Sequence, residues 1–166
     1  MQDIHLIQVP RVSLKYHNPI APQDRPRVTS SSDADRIFRA HWSDQLEICE
    51  EFYVLLMNQS SECIGIMHHS KGGICYTNVD ARLLFAAVVT SLATGIILAH
   101  NHPSGNARPS NGDIDFTGKI QQIADLFQIK LFDHLVLTSY GYFSFADEGM
   151  INQFANKSEI SEPCRP

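Results

Sequence analysis

Nowhere does the chain gather the roughly 20 consecutive apolar residues that a membrane-crossing helix needs, so no bilayer span is expected. Basic clusters are missing as well: Lys and Arg are scattered, and the formal net charge is −5. Sequence-independent nucleic-acid binding neutralises phosphates with basic side chains. An acidic chain without a basic stripe is a poor prospect for that role. None of Cys49, Cys63, Cys75 and Cys164 stands in a C-x-x-C pair, which argues against a thioredoxin-like motif and a zinc knuckle. They read as reduced, mostly buried thiols of a cytoplasmic protein. Met1-Gln2-Asp3 offers no basic start, and no apolar h-region follows it, so no signal peptide is expected. Internal repeats and low-complexity tracts are absent too.

The 166 residues are 43% hydrophobic and 19% charged, which suits one globular domain with a real core. Three segments are expected: a lead-in over residues 1–30, a folded body over 31–155, and a polar tail over 156–166. In the lead-in, residues 4–9 and 12–16 read as short strands and 18–32 as a loop. Ser32 is placed to cap a helix over 33–42 with Ile37 and Phe38 inward.

The body reads as α/β. Residues 50–58 carry apolar side chains at both parities, as a strand covered on both faces does. Ser60-Ser61 turns the chain into an antiparallel strand over 63–69, and Gly72-Gly73 breaks it before a further strand at 74–77. Asp80 caps a strongly apolar helix over 81–93, expected to be largely buried, with Gly95 placed to stop it. Ile96-Ile97-Leu98-Ala99 is a short apolar strand. A helix over 111–127 follows, and Phe116, Ile120, Ile123 and Phe127 mark its core face. Residues 131–138 and 142–145 supply the last strands around Gly141.

Chemistry concentrates in His100-Asn101-His102-Pro103-Ser104-Gly105-Asn106-Ala107-Arg108-Pro109-Ser110-Asn111-Gly112-Asp113. Histidines at i and i+2 project from the same side of an extended chain. Asp113 opens the next helix, where a strand–loop–helix turn can fold its carboxylate back toward both rings. Two nitrogen ligands and one oxygen ligand suit a catalytic zinc, whose fourth position is left to water. Ser110-x-x-Asp113 is at the same time a capping-box pattern. Capping and ligation are compatible, because a carboxylate in the first helical turn can still face a metal.

The spacing His100-x-His102-Pro103, seven residues on to Ser110 and two more to Asp113, resembles the motif of JAMM (JAB/MPN-type) metalloproteases. The fuller His100-Asn101-His102-Pro103-Ser104-Gly105 with Pro109-Ser110 is similar to the bacterial RadC branch. So are Glu50-Glu51-Phe52-Tyr53-Val54-Leu55-Leu56, Ser70-Lys71-Gly72-Gly73, Leu131-Phe132-Asp133-His134-Leu135 and Phe143-Ser144-Phe145-Ala146-Asp147-Glu148-Gly149. The resemblance spans roughly residues 30–151. It implies a single-domain mixed sheet flanked by helices, of cytidine-deaminase-like architecture. It implies Zn²⁺ on His100, His102 and Asp113, and Ser110 steadying the oxyanion. It also implies a glutamate general base at the start of an earlier strand. Parity within that strand does not separate Glu50 from Glu51; alignment to the family selects Glu50.

His134 falls on the same pattern and reads as a satisfied core or strand histidine, or as a hydrogen-bonding neighbour of the site, not as a ligand. His68 and His69 point to opposite faces of one strand. Asn101 stands where eukaryotic deubiquitinating members carry Ser or Thr, which weakens the analogy to ubiquitin cleavage. RadC-like proteins often have an N-terminal helix-hairpin-helix region, and the first thirty residues are too short and strand-like to contain it. The activity implied is zinc-dependent hydrolysis of a peptide or isopeptide bond in a peptide or protein substrate. The alternative is an accessory metal-binding module tied to DNA repair or mobile elements.

Overall fold

A computed structural model of the chain describes residues 13, 15–73 and 78–155. The expected strands at 4–9 and 74–77 and the tail at 156–166 lie outside those residues, as does part of 12–16. Its elements are α1 (Ser31–His41), β1 (Glu51–Met57), β2 (Cys63–Lys71), α2 (Ala81–Thr90), β3 (Gly95–Asn101), α3 (Asn111–Leu126), β4 (Lys130–Thr138), β5 (Gly141–Ser144) and α4 (Met150–Ala155). The strands form one mixed sheet in the order β2-β1-β3-β4-β5. β1 pairs antiparallel with β2 and β3, β3 runs parallel to β4 through the α3 crossover, and β5 returns antiparallel. This is the α/β body that the residue pattern predicts, arranged as the mixed sheet flanked by helices that the family resemblance implies.

Strand parity explains the two-sided burial of β1, all seven of whose residues are buried. Phe52, Val54 and Leu56 join Ile96 and Leu98 of β3 against Leu84, Phe85 and Val88 of α2 and Ile120 and Ala124 of α3. Tyr53, Leu55 and Met57 join Ile97, Ala99, Leu135 and Leu137 against Ala34, Ile37 and Phe38 of α1. A sheet sandwiched this way leaves each central strand apolar throughout. The lead-in contributes before residue 31: Val28 is buried in the α1 core, and Cys63 N–H donates to the Pro26 carbonyl at 2.8 Å.

Several helix ends differ from expectation, each for a local reason. α1 is capped by Ser30 instead of Ser32: the Ser30 side chain accepts the Asp33 N–H, and Asp33 Oδ2 accepts in return from Thr29 N–H and Ser30 Oγ–H, whereas Asp35, three residues after Ser32, is taken by Arg39. α2 stops at Thr90, not at Gly95. Ala93 N–H reaches the Val88 carbonyl and Leu92 N–H the Val89 carbonyl, with Leu92 in the left-handed region at φ 56°. That is a Schellman stop with leucine in the position glycine usually takes. Gly95 instead serves close packing, since a Cβ there would run into the Phe132 ring.

α2 is also less buried than its composition suggests, with Leu83 60% exposed. α3 ends one residue early in the same type of stop, with Gln128 at φ 56°. Phe127 is therefore pushed out of the core face and stacks on Phe85 at 5.6 Å. α4 was not expected at all; six residues are too few to show a period in sequence.

Candidate metal centre

β3 delivers His100 at its end, and His102 N–H continues the pairing by donating to the Leu137 carbonyl of β4 at 2.9 Å. The extended backbone thus sends both imidazoles to the α2/α3 face, while Asn101 between them turns to the α1 face. A turn follows in which Gly105 N–H donates to the His102 carbonyl, with Gly105 at φ 79° where a side chain would be strained. The turn brings the Asn106 carbonyl back to 2.8 Å from His102 Nδ1. A carbonyl only accepts, so His102 Nδ1 carries a hydrogen, and Nε2, turned to the cleft, is the atom that bears the lone pair when the ring is neutral.

Asp113 arrives from α3. Ser110 is the N-cap, and both arms of the capping box are formed. Ser110 Oγ accepts from Asp113 N–H at 3.2 Å, and Asp113 Oδ2 accepts from Ser110 N–H at 2.7 Å. Ser110 Oγ–H also donates to Oδ2, at 2.7 Å. Oδ2 thus carries the cap while facing His102, and Oδ1 faces His100.

Three side chains converge. His100 Nε2 lies 3.1 Å from His102 Nε2 and 3.3 Å from Asp113 Oδ1, and His102 Nε2 lies 3.5 Å from Asp113 Oδ2. Bonds of about 2.0–2.1 Å in tetrahedral geometry put ligand atoms about 3.3 Å apart. The observed separations therefore fit one small cation. Among the described residues this is the one group of three or more such side chains with metal-holding spacing. The electrostatics agree. Burial discourages ionisation of Asp113, yet hydrogen bonds from His100 and His102 outweigh it and hold the carboxyl far below the usual carboxylate range. The hydrogen bond to Asp113 pushes the His102 imidazole up, against burial and with help from the Asn106 carbonyl and the charge on Glu50. In both cases the site draws positive charge to itself.

The donors open into a cleft of ≈ 380 Å³, lined also by Glu50, Phe52, Asn78, Val79, Ser110, Gly112, Phe116 and His134. Glu50 and Glu51 part company here. β1 and β3 are registered with Phe52 opposite His100, so the even parity of β1 faces the histidines and Glu50 lines the cleft. Glu51 faces α1, 1% exposed, accepting from Ser43 Oγ–H at 2.6 Å with Lys71 Nζ 3.4 Å away. The RadC-like JAB domain family matches residues 28–150. The chain belongs to that family.

Relatives in the family include a UPF0758 protein of Porphyromonas gingivalis, 43% identical over 134 residues, which are 80% of this chain and 59% of the relative. One from Flavobacterium johnsoniae is 43% identical over 124 residues, 75% of this chain and 53% of the relative. Another from Syntrophotalea carbinolica is 31% identical over 134 residues, 81% of this chain and 57% of the relative. The chain thus spans somewhat over half the length of the curated relatives it matches.

Two supporting side chains, Asn101 and Thr117, went unassigned in the sequence; a third, His134, reads there as a core histidine or a hydrogen-bonding neighbour of the site, and it is both buried and bonded to His100. Asn101, fully buried, accepts Glu51 N–H through Oδ1 at 2.7 Å and donates through Nδ2 to the Leu46 and Cys49 carbonyls. It fastens the segment that carries Glu50 to the strand that carries the histidines. Its alternation with the histidines was a readable sign that it faces the other way. Thr117 stands one helical turn after Asp113, a spacing that also puts both on one face. His134 reaches His100 only through the β3–β4 register, which no local pattern encodes. His68 and His69 lie on opposite faces as expected: His68 stacks on Tyr53 at 4.5 Å, while His69 meets Phe52 edge-on at 6.1 Å. Cys49 and Cys63 are buried free thiols. No helix among the described residues is long and apolar enough to cross a membrane.

Proposed function

We propose that the cleft hydrolyses a peptide or isopeptide bond in a peptide or protein substrate, using one zinc ion held by His100, His102 and Asp113. The observation that carries this reading is the convergence of those three donors with Glu50 lining the same cleft. Two imidazoles and one carboxylate suit zinc and leave a coordination position open. When bound, the metal would supply Lewis acidity toward a water and the scissile carbonyl.

The remaining work falls to the chain. Glu50 takes a proton from the attacking water and delivers it to the amine nitrogen as the C–N bond breaks. Ser110 steadies the carbonyl oxygen as it gains charge. Its hydroxyl hydrogen, directed at Asp113 Oδ2, must turn toward the substrate, while Oγ can keep accepting the Asp113 N–H. Phe52, Val79 and Phe116 form the apolar side of the cleft and keep water from crowding the donors.

Metal analysis of the purified protein should show one zinc per chain, lost in His102→Ala. A peptide-library screen should then reveal a cleavage product that disappears with chelator. Glu50→Gln should slow cleavage by about 10²–10⁴-fold while zinc stays bound. A folded protein that takes up no zinc would overturn the reading. One that binds zinc and cleaves nothing would point to an accessory metal-binding module.

A further inference from the structure

His134 has no exposure at all, lies between Phe52, Phe116 and Phe145, and still makes two short polar contacts. Its Nε2 is 2.8 Å from His100 Nδ1, and its Nδ1 is 2.7 Å from Thr117 Oγ1. Thr117 Oγ1 in turn donates to the backbone carbonyl of Asp113. The Thr117 hydroxyl has one hydrogen, and the carbonyl can only accept, so that hydrogen goes to Asp113. Thr117 Oγ1 must then receive the hydrogen on His134 Nδ1. A neutral His134 with Nδ1 protonated has a bare Nε2, which accepts from His100 Nδ1–H. A neutral His100 is then left with its Nε2 lone pair facing His102 and Asp113.

We infer that His134 and Thr117 are positioning residues that close a one-directional hydrogen-bond ring from one ligand, His100, to the backbone of another, Asp113. The ring fixes the His100 tautomer, its ring orientation and the distance between the strand and helix halves of the site. The inference rests on the metal reading of His100, His102 and Asp113. It also removes His134 from the ligand set, because its one cleft-side nitrogen is occupied by His100. A histidine kept only to fill the core would not need Nε2 and Nδ1 matched to an available donor and an available acceptor. Partners of this kind raise ligand basicity and hold the donor at its bonding angle, and losing one costs about 10–100-fold in metal affinity.

The test is zinc affinity of the full chain, measured by competition with a chromogenic chelator at pH 7.5, a readout independent of any substrate. His134→Phe keeps an aromatic ring among Phe52, Phe116 and Phe145 and removes both polar contacts; its fold is checked by circular dichroism and urea unfolding. Zinc should bind about 10–100-fold more weakly than to wild type. His134→Gln restores an acceptor near the Nε2 position and should recover much of that loss. Thr117→Val should show a smaller weakening in the same direction. Zinc binding by folded His134→Phe within twofold of wild type overturns the inference, and so does His134→Gln binding as weakly as His134→Phe, which would assign the effect to packing. His102→Ala separates the two readings. If wild type binds no zinc the site itself fails, whereas if only His102→Ala loses zinc the site stands and the ring does not.

Discussion

At the scale of single residues, the site sets histidines of opposite tendency side by side. Burial, seconded by the neighbouring His100, holds the His134 imidazole well below its ordinary range, so it stays neutral in the folded protein. In the unfolded chain it protonates near pH 6.5. Below that pH the unfolded state binds a proton that the folded state refuses, and stability falls as pH drops. One such group contributes a slope of up to about 1.4 kcal/mol per pH unit. His69 acts in the same direction, lowered by burial against the pull of Asp80. His102 acts oppositely in the metal-free protein. Its pKa is raised by Asp113, so its contribution is present below pH 6.5 and is lost as pH rises through the raised value. Urea unfolding of metal-free protein between pH 5 and 7 should therefore give a shallower dependence for His134→Phe than for wild type. Superimposable slopes would show that His134 is not held neutral.

At the scale of elements, the ends of helices carry most of what the sequence concealed. Leu92 sits in the left-handed region and is 76% exposed, so it strains the backbone without contributing much packing. Leu92→Gly should raise stability by about 0.5–1 kcal/mol, read as a higher urea midpoint with unchanged cooperativity. A lowered midpoint would mean that Leu92 packs more than its exposure implies. The existence and type of the described body elements other than α4 were legible because periodicity and capping residues are local. Asp80, Ser110 and the four-three-four spacing of Phe116, Ile120, Ile123 and Phe127 all act within one or two turns. The α2 stop was not legible, since Gly95 is the obvious breaker and its real constraint, the Phe132 ring, comes from a strand thirty-odd residues away. The same limit separates the donors from their supports. His100, His102 and Asp113 lie within one continuous segment, whereas the His100–His134 contact exists only once β3 and β4 pair in parallel. Glu50 and Glu51 likewise could not be told apart until β1 acquired a register against β3.

At the scale of the whole molecule, one sheet with helices on both sides puts the cleft over the ends of its two central strands, β1 and β3, with α3 closing one side. A metal held there would bridge β3 and α3, so its binding energy would add to global stability by mass action. At free zinc about 1,000-fold above its Kd, the gain is about 4 kcal/mol, or on the order of 10 °C in Tm for a chain of this length. Thermal scans with zinc and with chelator should differ by that amount in wild type and coincide in His102→Ala. A zinc-dependent shift retained by His102→Ala would place the ion elsewhere.

The capping box at the head of α3 bears on how quickly an ion comes and goes. Asp113 is anchored by Ser110, and His102 by the Asn106 carbonyl, through bonds that involve no metal. A receptacle held by such bonds should not need its ion in order to form, unlike small zinc modules that fold only around theirs. Entry would then require shedding of hydration water but little rearrangement of the chain, and a chelator should strip the ion while the fold survives. Occupancy should follow the surrounding pool of divalent ions on the timescale of ligand exchange. Which ion such a site holds would then be a matter of supply and donor preference, and not one settled once and for all during folding.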